Sequence, residues 1–169
     1  MNAATGFGAM QNKMASTFKA AIQTITFLRD AYLPGLEALN EGDRRRISYD
    51  NSRNLTGTVN LDKALKDLLP NDPSWDYGIG YKVINTEYTL WVELHPASSS
   101  RHVEEVLQKL RWLKSWLGCH GAALRRFPSA YFWLSTDGVA LTPHSPRRRR
   151  LSQAGLRGPQ SMLNLDRDL

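Results

Sequence analysis

Polar and apolar positions alternate most regularly between Trp75 and His95, WDYGIGYKVINTEYTLWVELH. Period-two alternation over this length predicts two strands folded back on each other at a tight turn near Asn85-Thr86. Trp75, Tyr77, Ile79, Tyr81 and Val83 then share one face with Leu90, Val92 and Leu94. The opposite face carries Asp76, Gly78 and Gly80 against Trp91, Glu93 and His95. With the turn centred on Asn85-Thr86, the pairs are Asp76 with His95, Gly78 with Glu93, and Gly80 with Trp91. Glycine in a strand points to a close approach, so Gly80 is expected to make room for the Trp91 ring and Gly78 for Glu93.

Helical spacing dominates elsewhere. Phe18, Ile22, Ile25, Leu28 and Leu33 form one stripe, with Ala21 and Tyr32 beside it; Ser16 is the expected N-cap, and Pro34-Gly35 the stop. A short second helix is predicted over Leu36–Asn40. Glu41–Asn54 is polar and reads as a loop, with an extended piece at Ile47–Tyr49. Asn60 is placed to cap a helix whose apolar side is Leu61, Ala64, Leu65, Leu68 and Leu69, ended by Pro70 and Pro73. The strongest helix runs from Ser100 to Gly118, with Val103, Val106, Leu107, Leu110, Leu113 and Leu117 as its buried stripe. Glu104 and Glu105 are read as first-turn acids, which the helix dipole favours. Phe127–Thr136 has strong β-propensity before an Asp137-Gly138 turn signal. A strand, a long helix and a further strand fit a crossover unit. Near the end, Ser145, Pro146 and Gly155 frame a short helix from Pro146 to about Ala154, followed by an extended piece at Met162, Leu163 and Leu165.

The 169 residues suit one domain, and 41% hydrophobic with 22% charged residues is ordinary for a globular chain. Met1 to about Asn12 is small and polar and is expected to be poorly ordered. No run is long and apolar enough to span a membrane, and no secretory leader is evident. The single cysteine, Cys119, excludes an internal disulfide framework and a cysteine-rich zinc site, which favours a reducing, cytoplasmic setting. The net charge is +6, and residues 143–169 supply +4 of it through six arginines and two acids. Arg44–Arg46 and Arg147–Arg150 are therefore the expected contacts to a polyanion, with the phosphate backbone of nucleic acid the natural partner.

The hairpin carries the candidate chemistry. Asp76 and Glu93 on one sheet face can hold a hard divalent cation such as Mg2+ or Mn2+, which prefers carboxylate oxygen and keeps several waters. Asp76 is also placed to cap a turn after Pro73 and Ser74, and His95, before Pro96, to end its strand. Gly78-Ile79-Gly80 is too short for a phosphate loop and lies in a strand rather than before a helix. His102, His120 and His144 lack the spacing of metal ligands.

The order of elements is helix, strand with Asp76, strand ending in Glu93-Leu94-His95, long helix, strand. Over about Asn60–Thr136 it resembles the restriction-endonuclease-like, or PD-(D/E)xK, nuclease superfamily. In that superfamily an acid opens one strand, and Glu or Asp, any residue, then Lys follows on the next. Asp76 matches the first acid and Glu93 the second. His95 stands where the family has Lys, so the resemblance makes Lys109, on the long helix, the candidate for the missing cation; Lys82 lies at the far end of the hairpin.

The resemblance implies an α/β fold with a central mixed sheet flanked by helices. It also implies a Mg2+- or Mn2+-dependent phosphodiesterase acting on DNA. Asp76 and Glu93 would hold the metal, His95 or Lys109 would orient the attacking water, and the two arginine runs would follow the polynucleotide. Two rivals stand beside this reading. The first is a non-catalytic protein of the same fold that binds nucleic acid or protein. The second is a partner-binding protein, such as half of a toxin–antitoxin pair or a phage-defence component. As a homodimer or with another protein, it would use Trp112, Trp116, Tyr131 and Trp133 as an interface.

Overall fold

The computed structural model describes residues 17–169; the expected Ser16 cap and the polar stretch Met1–Asn12 lie outside them. A six-stranded mixed sheet forms the centre, in the order β1-β3-β4-β5-β6-β7. Its strands are β1 (Tyr32–Leu33), β3 (Leu55–Asn60), β4 (Tyr77–Val83), β5 (Thr86–Ala97), β6 (Ser129–Val139) and β7 (Leu156–Gln160). The first four of these pair antiparallel; β5, β6 and β7 run parallel. Parallel neighbours need crossovers, and helices supply both: α4 (Ser100–His120) between β5 and β6, and α5 (Pro146–Gln153) between β6 and β7.

Period-two alternation assigns each side chain of the sheet to one of two cores. Val59, Trp91 and Trp133 face α1 (Phe18–Thr24), α3 (Leu61–Leu65), α4 and α5. Tyr77, Ile79, Leu90, Val92, Phe132 and Leu134 face the other way. That second face is covered by Leu36, Leu39, Ile47, Leu163 and Leu165. Ile47 belongs to β2 (Ile47–Ser48) and Leu163 to β8 (Leu163–Asn164), which pair parallel in a separate two-stranded sheet. A short helix, α2 (Glu41–Arg44), precedes β2. No helix among the described residues is long and apolar enough to cross a membrane.

Several elements differ from the sequence expectation. The first helix ends at Thr24 and is capped by Thr17, whose hydroxyl accepts from the Ala20 N–H at 3.1 Å. Successive i→i+3 bonds then carry the chain through Ile25, Leu28 and Ala31. A repeat of three keeps Ile25 and Leu28 on the core side, so the apolar stripe survives although the α-helix does not. Tyr32 and Leu33 become an edge strand, and residues 36–39 form turns rather than a helix. Neither β3 nor β7 is expected from the sequence. Both are short, and their apolar positions acquire a face only through the strand beside them.

Other expectations hold with shifted ends. Asn60 caps α3, accepting from the Lys63 N–H at 2.8 Å. Helix α4 runs on through Gly118 and Cys119 to His120. Strand β6 continues through Asp137-Gly138, because the Asp137 carboxylate accepts from the Ala97 N–H of β5 at 2.7 Å instead of closing a turn. Ser145 caps α5 by accepting from the Arg148 N–H at 3.3 Å, and Gly155, at φ +80°, ends it.

Candidate active site

The β4–β5 hairpin turns one residue earlier than the sequence suggests. Val83 pairs with Thr86, leaving Ile84 and Asn85 as the loop, with Ile84 at φ +55°. Gly78 therefore lies opposite Trp91 and Tyr77 opposite Val92. Apart from Trp75 the face assignment is unchanged, but each cross-strand partner moves by two residues. Asp76, one residue before β4, is brought beside Glu93 rather than His95. The Asp76 N–H donates to Glu93 Oε2 at 3.1 Å, and the Leu94 N–H donates to Asp76 Oδ2 at 2.8 Å.

The roles of the glycines change with the register. A Cβ on Gly78 would lie 2.8 Å from Trp91 Cζ3, so Gly78 is the residue that admits the tryptophan ring. A Cβ on Gly80 would lie 2.6 Å from Phe18 Cγ, so Gly80 admits α1. Trp75 precedes the strand and escapes its parity. It packs with Trp91 in the helix-side core, not with Leu90.

Helix α4 closes the site from above. Arg101, Glu105 and Lys109 are spaced four residues apart and so share a face, and this face lies over the start of β4 and the end of β5. Lys109 Nζ donates to Glu93 Oε1. Glu93 is fully buried, whereas 20% of the Lys109 side chain reaches solvent. His95 lies 3.7 Å from Glu93 Oε1 through Nδ1, and its Nε2 is 2.8 Å from Glu105 Oε2. Arg101 Nε is 3.0 Å from the other Glu105 oxygen, Oε1. The His102 ring meets the His95 ring edge to face at 5.5 Å. Asp76, Glu93, His95 and Lys109 thus form one contiguous cluster, and Lys82 lies at the other end of β4.

Burial sets the electrostatics. Asp76 is pushed up to about 7, first by desolvation and then by the Glu93 carboxylate, with Lys109 and the Leu94 N–H pulling the other way. Desolvation works against the Lys109 ammonium, but Glu93 and Asp76 outweigh it and raise its pKa above the ordinary value. His95 is raised as well, chiefly by the nearby Glu93 carboxylate and then by its hydrogen bond with Glu105, against desolvation. Asp76, His95 and Lys109 thus each hold a proton more tightly than usual.

Two carboxylates with hard oxygens fit a hard divalent cation that completes its coordination with water. Asp76 and Glu93 are the residues that would hold it. Among the described residues no group of three or more His, Cys, Asp or Glu side chains is arranged as a metal cage. Arg101 was not singled out from the sequence, Glu105 was read there only as a dipole acid and His102 only as lacking metal-ligand spacing, although the i, i+4 spacing of Arg101, Glu105 and Lys109 is visible there. Glu104 and Glu105 lie in the second turn of α4 rather than the first, and each has a specific partner, Arg150 for Glu104 and His95 with Arg101 for Glu105.

The arginine runs are used unevenly. Arg46 donates to the Ser135 carbonyl at 2.8 Å and the Ser161 carbonyl at 3.3 Å, tying β2 to the main sheet. Arg44 donates to the Leu39 carbonyl at 3.2 Å, and Arg45 pairs with Glu41. Arg150 forms a two-pronged pair with Glu104, and Arg148 reaches the Gly158 and Pro159 carbonyls. Arg147 and Arg149 are exposed. Of the four aromatic residues expected at an interface, Trp133 is fully buried, Trp116 is 5% exposed, and Trp112 and Tyr131 pack partly buried against the same core. Comparison with protein-family models, with curated proteins and with solved structures finds no match for this chain.

Proposed function

We propose that the protein is a divalent-cation-dependent phosphodiesterase acting on DNA, built on a restriction-endonuclease-like core. The observation that carries this reading is the meeting of Asp76, just before β4, and Glu93, on β5, with the Lys109 ammonium from the crossover helix. A cation bound to the two carboxylates would supply Lewis acidity toward a phosphoryl oxygen and a bound water of lowered pKa. Lys109, held at Glu93, would steady the charge that builds on the phosphate. His95, held by Glu105, would orient the attacking water or accept its proton. The free faces of Arg147 and Arg149 would contact the polynucleotide backbone, which positions it without reading sequence.

One observation favours a second reading, a non-catalytic nucleic-acid-binding protein of the same fold. Glu93 is fully buried and already takes bonds from both Lys109 and the Asp76 N–H, as a structural ion pair does. Incubation with plasmid, duplex and single-stranded DNA, in Mg2+ or Mn2+ and in excess chelator, decides between the two. The enzyme reading expects cation-dependent cleavage that Asp76→Asn and Glu93→Gln abolish. DNA binding that weakens with salt, with no cleavage under any condition, supports the second reading, and absence of both removes the two together.

A further inference from the structure

A second place in the molecule has the makings of a binding site, and it does not depend on the carboxylate cluster. A cavity of about 620 Å³ lies at the turn end of the β4–β5 hairpin, between α1 and residues 126–128. This is within the usual range for small-ligand sites, roughly 300–1,000 Å³. Asp76 and Lys82 bracket β4, so with about 3.3 Å of rise per residue the cavity is on the order of 20 Å from the candidate active site.

Three cationic residues line the cavity from three different elements: Lys19 from α1, Lys82 from the end of β4, and Arg126 from the turn before β6. None has an acidic partner within ion-pair distance among the described residues, and residues 1–16 contain no Asp or Glu. Glu87, opposite Lys82 in the hairpin, is the one acid of the lining. Three cations and one carboxylate leave a local charge of about +2, the complement of a phosphomonoester, which carries about −1.5 to −2 at neutral pH.

Two buried polar atoms of the wall lack partners among the described residues: Glu87 Oε1 and Thr56 Oγ1 are enclosed and make no hydrogen bond to any of them. Buried polar atoms are nearly always satisfied, so each exception asks for a partner. The Glu87 oxygen calls for an N–H or O–H donor. The Tyr32 hydroxyl is already spent on the Thr56 carbonyl at 2.9 Å, and Lys19 lies over the Tyr32 ring, 5.4 Å from its centroid. Tyr32 therefore lines the cavity with its ring beneath Lys19, and Phe127 adds an apolar wall.

We propose that this cavity binds a nucleotide through its phosphomonoester, with Lys19, Lys82 and Arg126 on the phosphate and Glu87 on a sugar hydroxyl or base N–H. The same chemistry is offered by a free nucleoside monophosphate and by the 5′-phosphorylated end of a polynucleotide. Isothermal titration of the full chain with the four nucleoside 5′-monophosphates, the four nucleosides, and tetranucleotides with and without a 5′-phosphate tests it. At least one monophosphate or the phosphorylated tetranucleotide is expected to bind at least tenfold more tightly than its unphosphorylated form. Lys82→Gln and Arg126→Gln, both at exposed positions, should each remove about tenfold of that affinity and leave the melting temperature unchanged, whereas Asp76→Asn should leave the affinity as it is. Tighter binding of the phosphorylated tetranucleotide than of any monophosphate assigns the site to a chain end; the reverse assigns it to a free nucleotide. Equal binding with and without phosphate, affinity unchanged in both variants, or no binding at all overturns the proposal. These outcomes are independent of whether DNA is cleaved.

Discussion

At the scale of single residues, the Glu93–Lys109 pair decides the behaviour of the sheet's end. Breaking a buried pair by removing one partner is strongly destabilising, because the remaining charge is stranded. Lys109→Met is therefore expected to lower stability by about 3–5 kcal/mol in urea unfolding at pH 8. Removing both charges together, with Glu93→Gln, should recover much of that loss, a coupling that a double-mutant cycle measures.

Asp76 gives a pH signature of its own. Its folded-state pKa is about 7, against an ordinary 3.8. Between those values the folded protein holds a proton that the unfolded chain has released, so stability falls as pH rises through that window. His95, also raised, adds a fall in the same direction, since its charged form is favoured in the fold and is lost as pH rises through its folded pKa. Asp76→Asn should keep the bond from the Leu94 N–H and flatten the slope between pH 4 and 7. A melting-temperature profile identical to that of the parent would remove Asp76 as its source.

At the scale of elements, close approach packs the hairpin on itself and against α1. Gly80 faces Phe18 and Gly78 faces Trp91, and a methyl group at either position meets a ring closer than van der Waals contact allows. Overpacking of this kind destabilises by about 1–3 kcal/mol. Gly78→Ala and Gly80→Ala are both expected in that range by chemical denaturation. Gly80→Ala should also displace α1, which amide exchange in residues 18–24 would report. The face of α4 that bears Arg101, Glu105 and Lys109 is a polar, ion-paired stripe running beside the packing stripe. It continues to Trp112, whose indole N–H donates to Asp72 Oδ2 at 2.8 Å and anchors the loop that delivers Asp76. Trp112→Phe keeps the ring and removes this bond. It should reduce any DNA cleavage more than it reduces the melting temperature.

At the scale of the whole molecule, the positive charge divides between structure and surface. Arg148 and Arg150 are held by α5's neighbours, while Arg147 and Arg149 project from the same helix. Changing Arg147 and Arg149 to Ala should flatten the dependence of log affinity for duplex DNA on log salt by up to about 0.9 per lost phosphate contact. Changing Arg148 and Arg150 should instead lower the melting temperature and leave the slope nearly unaltered. The opposite assignment, read from the same two measurements, would place the nucleic-acid surface elsewhere.

What the sequence determined by itself is local in origin. The alternation of Trp75–His95, the stripe of α4 and the Ser145-Pro146 start with the Gly155 stop of α5 are set by side-chain periodicity and capping chemistry, which neighbouring residues specify. The parity that puts Asp76 and Glu93 on one face belongs here too. The tertiary structure decided the register, because turns at Asn85-Thr86 and at Ile84-Asn85 satisfy the same parity and only packing of the whole sheet chooses between them. It decided the short strands β3 and β7, whose ladder hydrogen bonds run to other strands. It also decided the fate of each charge. Lys109 is a candidate cation in the sequence only through the family resemblance, Glu105 only a dipole acid and Arg150 only a phosphate contact. Their actual partners appear when the crossover lays α4 across β5, where burial makes Glu93 require a cation and Lys109 is the one in reach.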